Sequence, residues 1–468
     1  INARVNRLMP TPRDWVEGAP LNMKEARRLT TGRYLGQVEH KYDYSADLFD
    51  TPAYGWSSTR DQIGIWFINP SVEYLSGGPT KYELTGHMDL TNSPDPLLLD
   101  YWRSTHYGGS YCPIARGESW AKVVGPIFVY CNAGGGPARL WHDALRQARV
   151  EKDRWPYAWV NAVNYPGPTR RGSVTGRIRV SDLGAPHSHS TSLLVGLTAP
   201  AYRTTGWSFW GPAPKVTVTW QTDAKHYEFW VRARADGSFA IPNVRPGAYV
   251  LHAIADGVLG EFVKPGVIVR SGTRVNLGDL RWVPVRYGRQ LWDIGIPNRS
   301  AREFAHGADY AHWGLYLEYP RWFPHGVNYV IGRSDFRRDW NFEQVPMIQG
   351  DGDSGNVTGS PTTWNVYFKL PSAPRGTALL RIALCGVGTR YLRVTMNGRP
   401  AGMLDNLAYN AVINRDGIEG TWTEHDVRFS ASLLKKGENI LQLTIPGGNP
   451  TSGLEYDYLR LALVPPKS

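Results

Sequence analysis

A chain of 468 residues is too long for one ordinary core and points to about three domains. Its 50 glycines, 34 prolines and 12% aromatic residues argue against long helices and for short strands between turns, and 3 cysteines exclude a dense disulfide framework or a CxxC metal pair. The 52 Lys+Arg against 41 Asp+Glu, a formal +11, favour encounter with a polyanion (nucleic acid, anionic polysaccharide or acidic lipid), while the lack of an apolar run of about eighteen residues excludes a membrane-spanning helix.

Up to about Tyr165, strand-like pieces such as IGIWFINP and WAKVVGPIFVYCN lead to one helical patch, PARLWHDALRQARVEKDRW, whose Leu140, Trp141, Leu145 and Ala148 recur at helical spacing. Earlier, VEHKYDYSADLFD (Val38 to Asp50) alternates in strand fashion, with Lys41, Asp43 and Ser45 on one face and Tyr42 and Tyr44 on the other. By itself this is an exposed lysine on a strand. Cys112 and Cys131 stand nineteen residues apart, which suits a disulfide across a hairpin or loop without requiring one. The given residues include no signal peptide, but a chain opening at Ile1 without methionine reads as processed or excised, so this says nothing about a leader. The Pro- and Gly-rich NYPGPTRRGS marks the end of a first domain, 1–165.

The second domain, 166–285, has the size of an immunoglobulin-like sandwich and reads as a small fibronectin type III-like unit. Asp236-Gly237 predicts a hairpin turn between two of its strands, because glycine readily takes positive φ. The third domain, 286–468, carries regularly spaced strands (TTWNVYFKL, TALLRIALC, YLRVTMNG, NILQLTI, LEYDYLRLALV) of the kind found in a jelly roll. The fold class is therefore all-β and multidomain. Nineteen tryptophans either fill such cores or stack on sugar rings or nucleobases.

Three short motifs carry little. GDSG (Gly352 to Gly355) matches a serine-protease nucleophile motif, but it sits among turn formers with no two-barrel pattern around it. Asp351 and Asp353 leave room for a structural calcium, although Thr362 stands where an EF-hand needs glutamate. HSHS places His187 and His189 on one side of an extended chain without a third ligand, which reads as a solvated loop. Asn298 and Asn356 begin glycosylation sequons.

GQVEHKYDYS, GGPTKYELTGH and STHYGG resemble the characteristic segments of rhamnogalacturonan lyases of polysaccharide lyase family 4. The resemblance continues through GSFAIPNVRPGAY, QLWDIGIPNRSAREF, YVIGRSDFRRDWNFEQ and EYDYLRLAL, covering nearly the whole chain in order. It implies a galactose-mutarotase-like β-sandwich, a fibronectin-like domain and a carbohydrate-binding-module-like jelly roll, in a secreted, extracellular enzyme. Its substrate would be the pectin polysaccharide rhamnogalacturonan I, with no nucleic acid and no membrane as partner. The implied reaction is β-elimination at the rhamnose-α-1,4-galacturonate bond, leaving an unsaturated galacturonate at the new non-reducing end, with no cofactor required for catalysis.

Removing the C5 proton of a uronate places charge beside an existing carboxylate, so the site needs donors or cations there. The resemblance gives Lys41 as the base and His106 as the acid that protonates the departing glycosidic oxygen. A lysine base needs a depressed pKa, which Glu39 and Asp43 would oppose if close; Asp43 is expected to point away or to pair with an arginine. Tyr101 and Tyr107 are candidates for contact with the sugar. Arg4 and Arg7 are candidates for the uronate carboxylate, a task suited to planar bidentate donors, and Lys81 and His87 are candidate lining residues of the same cleft. Family members carry roughly a hundred further residues before this chain begins, strands of the same first sandwich, so that sandwich is expected to be incomplete as given; a separate N-terminal chain that completes it, a fragment of a longer protein and a divergent protein with a trimmed sandwich are the three explanations. The rival readings are a carbohydrate-binding protein that kept the scaffold without catalysis, and a nucleic-acid binder resting on charge alone.

Overall fold

The computed structural model describes residues 8–21, 26–40, 44–88, 96–100, 110–161, 163–182, 192–206, 215–309, 314–349 and 357–464, with the side chains of 83, 85–88 and 96 outside the description. Strands dominate, as the composition predicts. Two compact units result, one built chiefly from Tyr44–Thr105 and Gly109–Pro284, the other from Pro10–Asp43 and Val285–Ser468. Among the described residues no helix is long and apolar enough to cross a membrane.

In the first unit an antiparallel sheet joins Ala53–Ser57, Ile63–Ile68 and Phe128–Ala133. One face lies on helix Gly136–Arg154, where Trp66 and Ile68 meet Leu140, Ala144 and Ala148. This is the helix that the apolar spacing predicts; proline suits its first turn, where a backbone N–H would have no intrahelical partner, and Lys152 and Arg154 in its last turn suit the negative end of the helix dipole. The opposite face has apolar residues open to solvent: Ile63, Ile65 and Val129 are 46%, 45% and 64% exposed. Cys131 lies on that exposed face and is unbridged, as is Cys112, so the disulfide considered for this pair is not formed.

A second sheet orders Ala46–Asp47, Tyr82–Met88 and Pro96–Asp100. It corrects the alternating strand expected over 38–50. Val38–Glu39 pairs instead with Arg27–Arg28, Ala46–Asp47 pairs with Tyr82–Met88, and residues 44–48 are buried without interruption. Tertiary packing overrides the period of two. Ala46 and Leu48 enter a cluster with Tyr54, Tyr74 and Leu84, while the Tyr44 carbonyl accepts the Tyr54 hydroxyl at 2.6 Å.

The fibronectin-like part of this unit sets Ser238–Val244, Gly172–Val180 and Arg274–Trp282 against Phe229–Arg232, Leu194–Thr198, Gly247–Ile254 and Phe262–Val269. Val174, Ile178 and Ile241 meet Val195, Leu197 and Leu251 in its core. The turn at Asp236-Gly237 is present, but the strands on either side of it enter different sheets, so it is a corner and not a hairpin. Gly237 has φ +80°, and a Cβ there would lie 2.1 Å from the Ile178 carbonyl oxygen. The predicted linker is also held firmly. Arg171 within it is buried and shares the Glu73 carboxylate with Arg245: Arg171 Nη1 lies 2.5 Å from Oε2, and Arg245 Nη2 lies 2.8 Å from Oε1.

The second unit contains the two sheets expected of a jelly roll. One runs Arg289–Gly295, Leu454–Val464, Thr377–Val387, Thr423–Ser430, with Glu343–Gln344 also paired to Leu454–Val464. The other runs Asn328–Val330, Thr362–Leu370, Gly437–Ile445, Leu392–Met396, Arg399–Leu404. Tryptophans fill much of the space between: Trp340, Trp364, Tyr319 and Tyr456 are fully buried, and Trp364 Nε1 donates to the Tyr319 hydroxyl at 2.7 Å.

Candidate functional site

Of the residues singled out by sequence, Lys41, His106, Tyr101, Tyr107, Arg4 and Arg7 lie outside the described residues. The backbone of His87 is in strand Tyr82–Met88, opposite Leu97, and its side chain is outside the description. Lys81 is described. It is 4% exposed, and its Nζ reaches the Ser76 hydroxyl at 3.3 Å. A Cβ on Gly77 (φ +106°) would lie 2.5 Å from Lys81 Cδ, so a glycine at this turn makes room for the buried lysine chain.

What the described residues fix is where the segments that carry Lys41 and His106 attach. Ala46, five positions after Lys41, and Asp100, six before His106, both pair with Leu84, one from each side of the central strand. With strands about 4.8 Å apart, the two attachment points are roughly 10 Å from one another. A tether of five or six residues easily spans that distance.

Asp100 is a residue that sequence reasoning missed. Tyr74 directs its hydroxyl towards Asp100 Oδ2 at 3.1 Å and Asn69 Oδ1 at 2.8 Å, while Asp100 Oδ1 is buried without a hydrogen-bond partner among the described residues. Burial pushes its pKa up to about 6, against the hydrogen bonds from Tyr74 and Asn69. Tyr74 has one proton for two acceptors, so a proton on Asp100 relieves the shortage. The only sequence signal was a carboxylate ending the apolar run LLL.

In the second unit, His40, the residue before Lys41, is buried with Nε2 3.9 Å from Asp416 Oδ2. Asp416 has φ +47°, and its Oδ1 accepts from the backbone N–H groups of Gly314 (3.0 Å) and Leu315 (3.3 Å). Glu343 and Glu455 face each other on adjacent strands, fully buried. Burial raises both carboxyls well above the usual range, and Asp416 adds to the shift. Neither oxygen of Glu455 has a hydrogen-bond partner among the described residues. These acids do not form a metal cage: among the described residues no group of three or more His, Cys, Asp or Glu is arranged to hold a metal. Asp351 and Asp353, the candidate calcium loop, the GDSG and HSHS motifs and Asn356 all lie outside the described residues. Asn298 is described, and its amide nitrogen is engaged with Glu303 at 2.9 Å.

Comparison with known proteins gives these segments a context. The sequence model of polysaccharide lyase family 4, domain II, a fibronectin type III-like module, matches residues 196–277, and that of domain III of the same family, described as CBM-like, matches residues 290–461. A rhamnogalacturonate lyase of Dickeya dadantii is 27% identical over 98% of this chain and 70% of its own length. A probable rhamnogalacturonate lyase B of Aspergillus terreus is 27% identical over 87% of this chain, and rhamnogalacturonate lyase B of Emericella nidulans 27% over 90%. The chain spans 64% of the length of the Aspergillus terreus relative and 67% of the Emericella nidulans one. Among solved structures, a family 35 carbohydrate-binding module from Paenibacillus barcinonensis is 20% identical over 26% of this chain with a TM-score of 0.17, a likeness that fixes neither fold nor ligand. Two models of a single family, matched in order and together over more than half of the residues, with similarity over most of the chain to proteins named rhamnogalacturonate lyase, place this chain in polysaccharide lyase family 4.

Proposed function

We propose that the chain is a rhamnogalacturonan lyase that cleaves the rhamnose-α-1,4-galacturonate bond of rhamnogalacturonan I by β-elimination and acts within the polymer. The observation that carries this reading is similarity to proteins named rhamnogalacturonate lyase over 87% to 98% of the chain. The register that attaches both catalytic segments to Leu84 supports it, because it lets residues 41 and 106 approach one sugar.

In this reading Arg4 and Arg7 bind the galacturonate carboxylate and stabilise the charge that develops on it. Lys41 takes the C5 proton, the electron pair forms the C4–C5 double bond, the C4–O4 bond breaks, and His106 gives its proton to the departing O4 on rhamnose. Tyr101 and Tyr107 contact the flanking sugars, His87 lines the cleft, and Lys81 supports its wall from within. The chemistry requires no cofactor, and a calcium at Asp351 and Asp353 would be structural. The substrate is a cell-wall polymer, so the enzyme acts after secretion. The solvent-exposed Ile63, Ile65 and Val129 face favours a further polypeptide that covers it and completes the first sandwich.

The test is the rise in ultraviolet absorbance from the conjugated double bond on rhamnogalacturonan I, with chelator present. Lys41→Ala and His106→Ala should each lose roughly 10²–10⁴-fold in rate. A folded wild type that binds the polymer without producing the unsaturated product would overturn the lyase reading in favour of a binding protein.

A further inference from the structure

The jelly-roll unit has an outward sheet face that its core does not use. Asn328, Asn365, Gln442 and Thr395 stand directly opposite one another on four successive strands. They form a directional relay: Asn365 Nδ2 donates to Asn328 Oδ1 (2.9 Å), Gln442 Nε2 to Asn365 Oδ1 (3.0 Å), and Thr395 Oγ1 to Gln442 Oε1 (3.1 Å). Each amide NH2 of Asn365 and Gln442 spends one N–H on the relay, and the second is available for a ligand. Three strand spacings make the row about 14 Å long, close to three sugar rings end to end. Tyr367, two residues from Asn365 on the same face, is 37% exposed and donates its hydroxyl to Asn328 Oδ1 at 3.3 Å.

Asn328 also forms the rim of an open cleft of about 460 Å³, a size typical of small-ligand sites. In that cleft the imidazole of His306 lies flat on the indole of Trp322, with ring centroids 3.6 Å apart and planes within 6°. His306 adopts φ +65°, a left-handed conformation that strains a non-glycine residue and must be compensated by its surroundings. The nearby Arg338 is held on the Asp339 carboxylate by two 2.8 Å hydrogen bonds, so its charge is already matched. The cleft and the row share Asn328 and are continuous. Flat rings, amides in line and a neutralised cation fit ring faces and hydroxyl groups better than carboxylates.

We infer that the His306–Trp322 cleft and the Asn328–Asn365–Gln442–Thr395 row form a glycan-binding track that holds about three sugars of the polymer through hydroxyls and ring faces. It rests on the polysaccharide reading above and adds to it a site separate in sequence from Lys41 and His106.

The experiment is affinity electrophoresis in rhamnogalacturonan I gels at low and high salt, with Lys41→Ala as the parent so that turnover does not remove the ligand. Two variants are compared with it. Asn328→Ala/Tyr367→Ala removes exposed groups together with the Asn328 Nδ2 hydrogen bonds to the His325 and Gly326 carbonyls in its own turn, and His306→Gly removes the stacking ring while easing the backbone. Each should weaken retardation about tenfold with an unchanged melting temperature, and the parent's retardation should persist at high salt. Equal retardation of variants and parent, loss of the parent's retardation at high salt, or no retardation of the parent would each overturn the track. The absorbance assay on wild type separates the two ideas: activity without retardation rejects the track alone, and absence of both rejects the lyase reading as well.

Discussion

Replacing Glu73 tests how the first unit is held together. Its carboxylate is fully buried and receives Arg171 Nη1 and Nη2 at 2.5 and 3.1 Å and Arg245 Nε and Nη2 at 3.0 and 2.8 Å. Glu73→Ala leaves two buried guanidinium groups facing each other. Arg171 would keep the carbonyls of Pro166 and Asn243, and Arg245 that of Asn164, so their hydrogen bonding is only partly lost. Breaking a buried pair in this way typically costs 3–5 kcal/mol, since the surviving charge is uncompensated. At about 2–4 °C per kcal/mol for a unit of this size, the transition should fall by roughly 6–20 °C. Scanning calorimetry measures the shift. Glu73→Gln keeps acceptor geometry without the charge and should fall between wild type and Glu73→Ala. A loss below about 1 kcal/mol for Glu73→Ala would refute the reasoning and leave the linker anchored by its backbone contacts alone.

Asp100 binds its proton more tightly in the native chain than in the unfolded one, with a pKa of about 6 against 3.8. Its contribution to stability is therefore greatest below about pH 4 and falls as pH rises to about 6; Asp100→Asn should be more stable than wild type at neutral pH by up to about 3 kcal/mol. Urea melts at several pH values check this, and a gap that does not widen between pH 4 and 6 would count against it. Glu455→Gln follows the same sign in the second unit: an amide that is neutral at every pH, facing the Glu343 carboxyl, should raise stability under alkaline conditions and flatten its pH dependence, as read by thermal melts. Gly237→Ala should destabilise by more than about 1 kcal/mol, because φ +80° and the Ile178 carbonyl both oppose a Cβ; denaturant melts give the value.

Much of the architecture is legible in the sequence because its signals are local. Periodicity of 3.6 marks helix Gly136–Arg154, and regularly spaced apolar runs bounded by turn formers mark the strands of the jelly roll. The motif segments also suffice for the family, since they record side chains in order along the chain. The candidate pair Lys41 and His106 came from those segments and not from any spatial relation. What the sequence could not supply depends on partners brought together by folding. Alternation over 38–50 is real in the text, yet the Tyr54, Tyr74 and Leu84 cluster buries both faces of residues 44–48. Glu73 meets arginines 98 and 172 residues away, and the pKa of Asp100 is set by Tyr74 and by burial. Local pattern decides which element forms, because backbone geometry repeats over a few residues. Charge pairing, desolvation and the choice of sheet depend on distances that exist only after the chain has closed on itself.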